Sequence, residues 1–312
     1  GQFAFANKLE VNLESCLTPT ELKNFHLNFQ HEGNPIGNLL LSGPMDFRNG
    51  SADLQVAVKG LEGHVLNFVG RPHGLDFHKT VFSATNRLVL DGFGKQIKLR
   101  GAISAMPVQM SLDRVSFPSV DALETQYDFT VDLAGKRVIF DVLSLKATHK
   151  AKQFLTGEIN QPMTLAWSGD IIEAPDSEFE LEMMNADLAD WQPWLARHAQ
   201  SGAVAARVKI GVKRNGREIR FVSSGSITSL QLPVDGKVIE AGDFNLTAEG
   251  QVTDFQKMEF TQFATEAGRP GKTYFKYEGK PVVDIAARTV GSIGKLEGDL
   301  PVLLSWFPQK EV

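Results

Sequence analysis

Apolar and polar residues alternate along nearly the whole chain, and a segment with that period can bury only one of its faces, because successive side chains of a strand point to opposite sides. The runs are Phe25, Leu27, Phe29; Leu54, Val56, Val58; Val108, Met110, Leu112; Tyr127, Phe129, Val131, Leu133; and Met163, Leu165, Trp167. They continue with Phe179, Leu181, Met183; Ala206, Val208, Ile210, Val212; Phe244, Leu246, Ala248; and Val283, Ile285, Ala287. Between them stand polar residues such as Asp128, Thr130 and Asp132, or Arg207 and Lys209. The pattern predicts an all-β chain of one-sided strands.

Turn chemistry separates the runs. Arg48-Asn49-Gly50, Gly92-Phe93-Gly94-Lys95, Ala134-Gly135-Lys136, Arg214-Asn215-Gly216 and Val234-Asp235-Gly236 suit tight hairpins. Short loops between alternating runs predict antiparallel neighbours in chain order. The apolar phase slips where Val138, Phe140 and Val142 give way to Leu143 and Leu145, which predicts a bulge.

Helical signals are sparse. Thr18-Pro19-Thr20-Glu21 has the form of a capping box, but the alternation at Phe25 limits it to one turn. In Asp187 to Leu195 the side chains Leu188, Trp191, Trp194 and Leu195 share a helical face, and Pro193 keeps the element short. It is expected to cap the open end of a sheet. A loose repeat is visible near 80–195 and 196–307: Ser83-Ala84-Thr85, Lys146-Ala147-Thr148 and Phe263-Ala264-Thr265 each precede a second strand and a Gly…Pro pair. Two copies end on Asp187-Leu188 through Trp194 and on Asp299-Leu300 through Phe307.

Composition narrows the function. At 42% apolar and 22% charged residues, the chain has ordinary globular usage across 312 positions. A net charge of −5 with scattered Lys and Arg argues against nucleic acid, which needs a basic stripe. The 21 Phe against 3 Tyr and 4 Trp favour a dry apolar surface over a pocket for a polar ligand. The lone Cys16 excludes an intrachain disulfide and a CxxC metal site. No run approaches the roughly 20 apolar residues of a membrane-spanning helix. The start, Gln2-Phe3-Ala4-Phe5 without Met, reads as an excised or mature segment.

No catalytic, cofactor or metal site emerges. None of the seven histidines forms an HxxxH or HExxH pair, and His64, His73 and His78 lie among glycine-rich turns as solvent-facing loop residues. Gly92-Phe93-Gly94-Lys95 lacks the length and the Ser or Thr of a phosphate loop. Glu178, Glu180 and Glu182 alternate with Phe179 and Leu181, which puts three carboxylates on one solvated face.

The stretch Leu143-Ser144-Leu145-Lys146-Ala147-Thr148, then Phe154-Leu155-Thr156-Gly157-Glu158-Ile159-Asn160-Gln161-Pro162, then Asn185-Ala186-Asp187-Leu188-Ala189-Asp190-Trp191 resembles the AsmA-like proteins of Gram-negative envelopes. Phe260 to Phe307 is similar in a weaker form. The resemblance covers about half the chain and carries no catalytic residue. It implies a single elongated, twisted, mainly antiparallel sheet over 1–312, rolled into an open U-shaped groove with short capping helices. It further implies a periplasmic module, tethered to the inner membrane by a segment outside this chain, that moves phospholipid between inner and outer membranes. On this reading the groove lining is Phe129, Val131, Leu133, Leu165, Trp167, Leu181, Val208, Ile210, Val212, Phe244, Leu246 and Ile285, while Thr130, Asp132, Arg207 and Lys209 face water. The expected partners are acyl-chain lipids and membranes. Two other readings fit the alternation: a structural or adhesin-like β-sandwich with a closed core, and a polysaccharide enzyme on a β-solenoid, for which converging carboxylates are missing.

Overall fold

A computed structural model describes residues 3–12, 20–113, 115–167, 176–191, 199–213, 216, 218–234, 236–254 and 256–305. The chain is all-β, with 74% of residues in strands against the quarter or less of an ordinary domain. It divides into two units, Gly1–Gln153 with Gln161–Asp170, and Phe154–Asn160 with Ile171–Val312.

In chain order the first elements are β1 (Phe3–Asn12), β2 (Thr20–His31), β3 (Asn34–Asp46), β4 (Ser51–Glu62), α1 (Gly63–Gly70), β5 (Leu75–Asp76), β6 (Val81–Asp91) and β7 (Gln96–Ala105). There follow β8 (Ser111–Leu112), β9 (Val115–Ser116), β10 (Ala122–Asp132), β11 (Arg137–His149), β12 (Lys152–Ile159) and β13 (Met163–Ala166). In the first unit the long strands pair antiparallel in the order β1-β2-β3-β4-β6-β7-β10-β11-β13. The expected hairpins at 47–50, 92–95 and 133–136 are present. Asp46 anchors the first by accepting the backbone N–H groups of Arg48 and Asn49 at 2.9 and 3.2 Å.

The predicted bulge lies in β11. Asp128 faces Val142 and Phe129 faces Phe140, so Asp141 is the extra residue. The slip restores the apolar face on both sides of it: Tyr127 meets Leu143 and Val131 meets Val138.

The segment Val108, Met110, Leu112 departs from its expected strand. It forms only an isolated bridge from Val108 to Val120 and the two-residue β8, which joins β5 and β9 in a small separate sheet. Backbone groups here bond to side chains in place of a ladder: Thr80 Oγ1 donates to the Gln109 carbonyl at 2.7 Å and accepts the Gln109 N–H at 2.8 Å. Beside it lies α1, a helix the alternation did not announce. It presents Gly63, Asn67 and Gly70, all buried. A Cβ at Gly63 would come within 2.3 Å of the His78 carbonyl, and one at Gly70 within 2.6 Å of the Phe77 ring, so the bare glycines let the helix lie down there.

The second unit contains β12 and then β14 (Ser177–Asp187), β15 (Ser201–Lys213), β16 (Glu218–Val234), β17 (Lys237–Thr253), β18 (Lys257–Arg269), β19 (Lys272–Asp284), β20 (Thr289–Gly298) and α2 (Leu300–Ser305). These strands pair antiparallel in the order β12-β14-β15-β16-β17-β18-β19-β20. A bulge in β18 inserts Thr261, whose hydroxyl donates to the Glu249 carbonyl at 3.2 Å. Among the described residues no pairing joins the two ends of either run, so neither is closed as a barrel.

Two similar caps follow strands β14 and β20. Leu188–Trp191 is a single 3-10 turn with the Ala189 N–H on Asp187 Oδ1 at 2.9 Å, and α2 has the Val302 N–H on Asp299 Oδ1 at 3.4 Å. Cys16, Thr18 and Pro19, Asn215, Asp235, Trp194 and Leu195, His198, and Trp306 and Phe307 lie outside the described residues. Thr20 and Glu21 open β2.

Candidate functional site

Register places the alternating apolar residues side by side across many strands. In the first unit one row runs Leu54, Leu88, Leu99, Phe129, Phe140, Met163. The next runs Ala52, Leu90, Ile97, Val131, Val138, Leu165. A third runs Leu27, Leu39, Val58, Ala84, Ile103, Thr125, Leu145. Each row is a continuous stripe of cross-strand pairs, the unit that stabilises a sheet. The opposite face is polar: Arg87 reaches Asp53 through Nε at 2.8 Å, and Lys98 lies 3.4 Å from Asp128 and 3.8 Å from Asp141.

The second unit repeats the arrangement with different side chains. One row is Ile159, Phe179, Ile210, Phe221, Gly250, Phe260; a second is Gly157, Leu181, Val208, Ser223, Ala248, Phe263, Gly279, Gly294. A third is Leu155, Met183, Ala206, Gly225, Leu246, Thr265, Tyr277, Leu296. Rings connect the rows: Phe221 to Phe260 at 5.3 Å, Phe260 to Phe263 at 5.7 Å and Phe263 to Tyr277 at 5.9 Å, all edge-on. Phe221 and Tyr277 lie over glycines. A Cβ at Gly250 would sit 2.7 Å from the Phe221 ring and 2.4 Å from the Glu259 carbonyl, and one at Gly279 2.4 Å from the Tyr277 hydroxyl. On the other face Glu180 binds Arg207 and lies 3.5 Å from Lys209. Its carboxyl is held below its ordinary value chiefly by the Arg207 hydrogen bond. The acidic strip of β14 is thus matched by a basic one on β15.

These faces are not packed away. Among the described residues fifteen apolar side chains are buried, Leu54, Ala84, Met163 and Ala248 of the rows among them, and eight of the fifteen are alanines. Phe129, Val131, Leu99, Leu181, Val208 and Phe263 all remain partly accessible. In a closed sandwich such residues form the dry layer between two sheets; here each unit offers its apolar stripes from one face of a sheet.

Nine of the twelve expected lining residues lie on these faces. Phe129, Val131 and Leu165 belong to the first unit, and Leu181, Val208, Ile210, Val212, Phe244 and Leu246 to the second. Val212 is the exception in burial, 4% exposed. The other three stand in or beside turns. β10 ends at Asp132, which accepts the Gly135 N–H at 2.7 Å, and Leu133 is 51% exposed in that turn. Trp167 follows β13, its N–H on the Lys136 carbonyl at 3.0 Å. β19 stops at Asp284, which accepts the Ala287 N–H at 2.7 Å while Arg288 takes φ +54°, so Ile285 is a turn residue. Leu133 and Trp167 join Phe47 and Phe93 as exposed apolar residues at the turns of the first unit.

Two features lie outside the expected lining. Leu88, Leu99, Phe140, Phe221, Phe260 and Phe263 were not among the expected lining residues, yet register sets them in the same rows. In the first unit, Tyr127 donates a hydrogen bond to Asn86 Oδ1 within the apolar face. Burial pushes the Tyr127 phenol up, and the Asn86 bond partly offsets it.

Comparisons with protein-family models, with curated proteins and with solved structures returned no match for this chain.

Proposed function

We propose that the apolar faces of the chain are a non-catalytic, lipid-holding surface of the AsmA-like kind, on which acyl chains lie along the apolar stripes while head groups stay in water. The observation that carries this reading is the coexistence of long, largely apolar rows with incomplete burial. Water against such stripes is unfavourable by about 25 cal/mol per Å², and each methylene laid on them gains up to about 0.8 kcal/mol. An acyl chain needs no directional contact, which suits a face where a polar pair such as Tyr127–Asn86 bonds internally. The opposite faces, with Arg87–Asp53 and Arg207–Glu180, suit water. The AsmA-like resemblance supplies the setting, a periplasmic groove carrying phospholipid between inner and outer membranes. Direction belongs to partners outside the chain.

Mass spectrometry of lipid released from the gently purified protein tests the proposal. Phospholipids of several head groups are expected, with acyl chains as the shared element. Lipid-free protein, or tight selection of one head group in competition, would point to a bounded pocket or a plain structural sheet.

A further inference from the structure

Outside the apolar faces, the loop after α1 assembles a polar constellation. Ser111 Oγ is 3.0 Å from His78 Nε2, and His78 Nδ1 is 3.4 Å from Asp76 Oδ1. The Asp76 carboxylate is fixed from three further sides: the His78 backbone N–H at 2.9 Å, Asn67 Nδ2 at 3.0 Å, and Arg71 Nη2 at 3.3 Å on the other oxygen. Asn67 is itself buried, with Oδ1 accepting the Phe77 N–H at 2.7 Å. The bond from the His78 backbone N–H leads the causes that hold the Asp76 carboxyl below its ordinary value.

Ser111 is placed with similar care. The Thr80–Gln109 pair of hydrogen bonds and the β5–β8 pairing fix the chain on both sides of it. His78 adopts φ +35°, a conformation an L residue holds only where its surroundings impose it, and such strain concentrates at functional positions. The group opens on a cavity of about 500 Å³ lined by Arg71, Leu75, Asp76, His78, Ser111 and Asp113.

The order hydroxyl, imidazole, carboxylate is that of a nucleophile, its base and the group orienting the base. We propose that Ser111, His78 and Asp76 form a nucleophilic site that cleaves small carboxylic esters through an acyl-serine. Ser111 Oγ attacks the ester carbonyl carbon while His78 Nε2 takes the hydroxyl proton. The tetrahedral intermediate collapses, the C–O bond to the alcohol breaks, and His78 returns the proton to the departing alkoxide. Water, deprotonated by the same imidazole, then attacks the acyl-serine; the Oγ–acyl bond breaks and the proton passes back to Ser111, releasing the acid. Asp76 is a positioning residue that holds Nδ1 protonated toward itself and leaves Nε2 free to accept. Arg71, the cation of the cavity lining, is ion-paired with Asp76 at 3.3 Å and helps to hold that carboxylate in place. The proposal stands apart from the lipid-holding reading and survives its failure.

The test is covalent labelling of the full chain with a fluorophosphonate probe, followed by peptide mass spectrometry. The expected result is an adduct on Ser111, absent in Ser111→Ala and formed about 100-fold more slowly or worse in His78→Gln, as loss of a general base requires. Asp76→Asn should also slow labelling while the strand signal in circular dichroism stays unchanged. Should a variant unfold, the wild type decides: labelling of Ser111 must vanish in denaturant. An unlabelled Ser111 in the folded wild type, labelling that persists in denaturant, or an undiminished rate in folded His78→Gln would overturn the proposal.

Discussion

The apolar faces of the two units reach the same result by different chemistry. In the first, branched aliphatic residues do most of the covering, as in Leu90, Ile97, Val131, Val138 and Leu165. In the second, fewer but larger side chains spread over glycines: Phe221 over Gly250, Tyr277 over Gly279 and Gly294. Aromatic rings can cover the bare backbone of a neighbouring glycine and so keep an apolar surface unbroken without a large residue at every position. A continuous apolar stripe therefore does not require a uniformly apolar sequence. The glycines of the second unit become packing residues, whereas the first unit depends on side-chain volume.

That contrast can be broken at Gly250. Gly250→Val would drive a Cβ against the Glu259 carbonyl and the Phe221 ring, so its denaturant midpoint should fall by the equivalent of about 2–3 kcal/mol. In the first unit, Ile103→Val removes one methyl beside Ala84 and Thr125 and should cost no more than about 1 kcal/mol. If Gly250→Val proved as mild as Ile103→Val, the rings would not be seated on the glycine. A similar effect of about 1 kcal/mol is expected from Tyr127→Phe, which leaves Asn86 without its donor in the apolar face; thermal unfolding measures it.

The smallest effect is electrostatic. Asp53, led by its Arg87 hydrogen bond, Asp132, led by the Gly135 N–H, and Glu180, led by its Arg207 hydrogen bond, have carboxyl pKa values below their ordinary ones. A depressed carboxyl contributes stability above its unfolded pKa and loses it as pH falls through the folded value. Stability should therefore be flat from neutral pH down to about 5 and decline below about 4. Because these pairs are solvent-exposed, the change should be slight and weaken further in salt. An acid transition already complete near pH 6 would require a different titrating group.

Much of this fold was legible because each strand keeps one polar face, so the period of two survives in the sequence. The bulge at Asp141 showed itself as a phase slip, and the turns at Gly50, Gly94 and Gly135 by their residues. The losses have local causes. Ile285 and Ala287 continue the alternation of Val283, yet the Asp284 side chain captures the Ala287 N–H and ends the strand. Val108 to Leu112 alternates too, but Thr80 takes the backbone groups of Gln109 that a ladder would have used. The short helix α1 carries no side-chain cap, and its glycines read as turns. Ser111 and His78 stand 33 residues apart, and their contact depends on a small sheet of two-residue strands that no periodicity could announce.

The central claim is that the apolar faces meet lipid and not a second protein layer, and charge insertion tests it most directly. Val131 and Val208 are partly accessible, so a carboxylate at either stays hydrated and should cost only ~1–2 kcal/mol, against the several kcal/mol of an unpaired charge in a sealed core. Native mass spectrometry of Val131→Asp, Val208→Asp and the polar-face control Thr130→Asp, each set beside its unfolding curve, reads both quantities. The account predicts that all three fold cooperatively, that the two valine variants lose bound phospholipid, and that Thr130→Asp keeps it. Valine variants that fail to fold, beside a wild type that carries no lipid, would contradict it and establish a closed structural sheet.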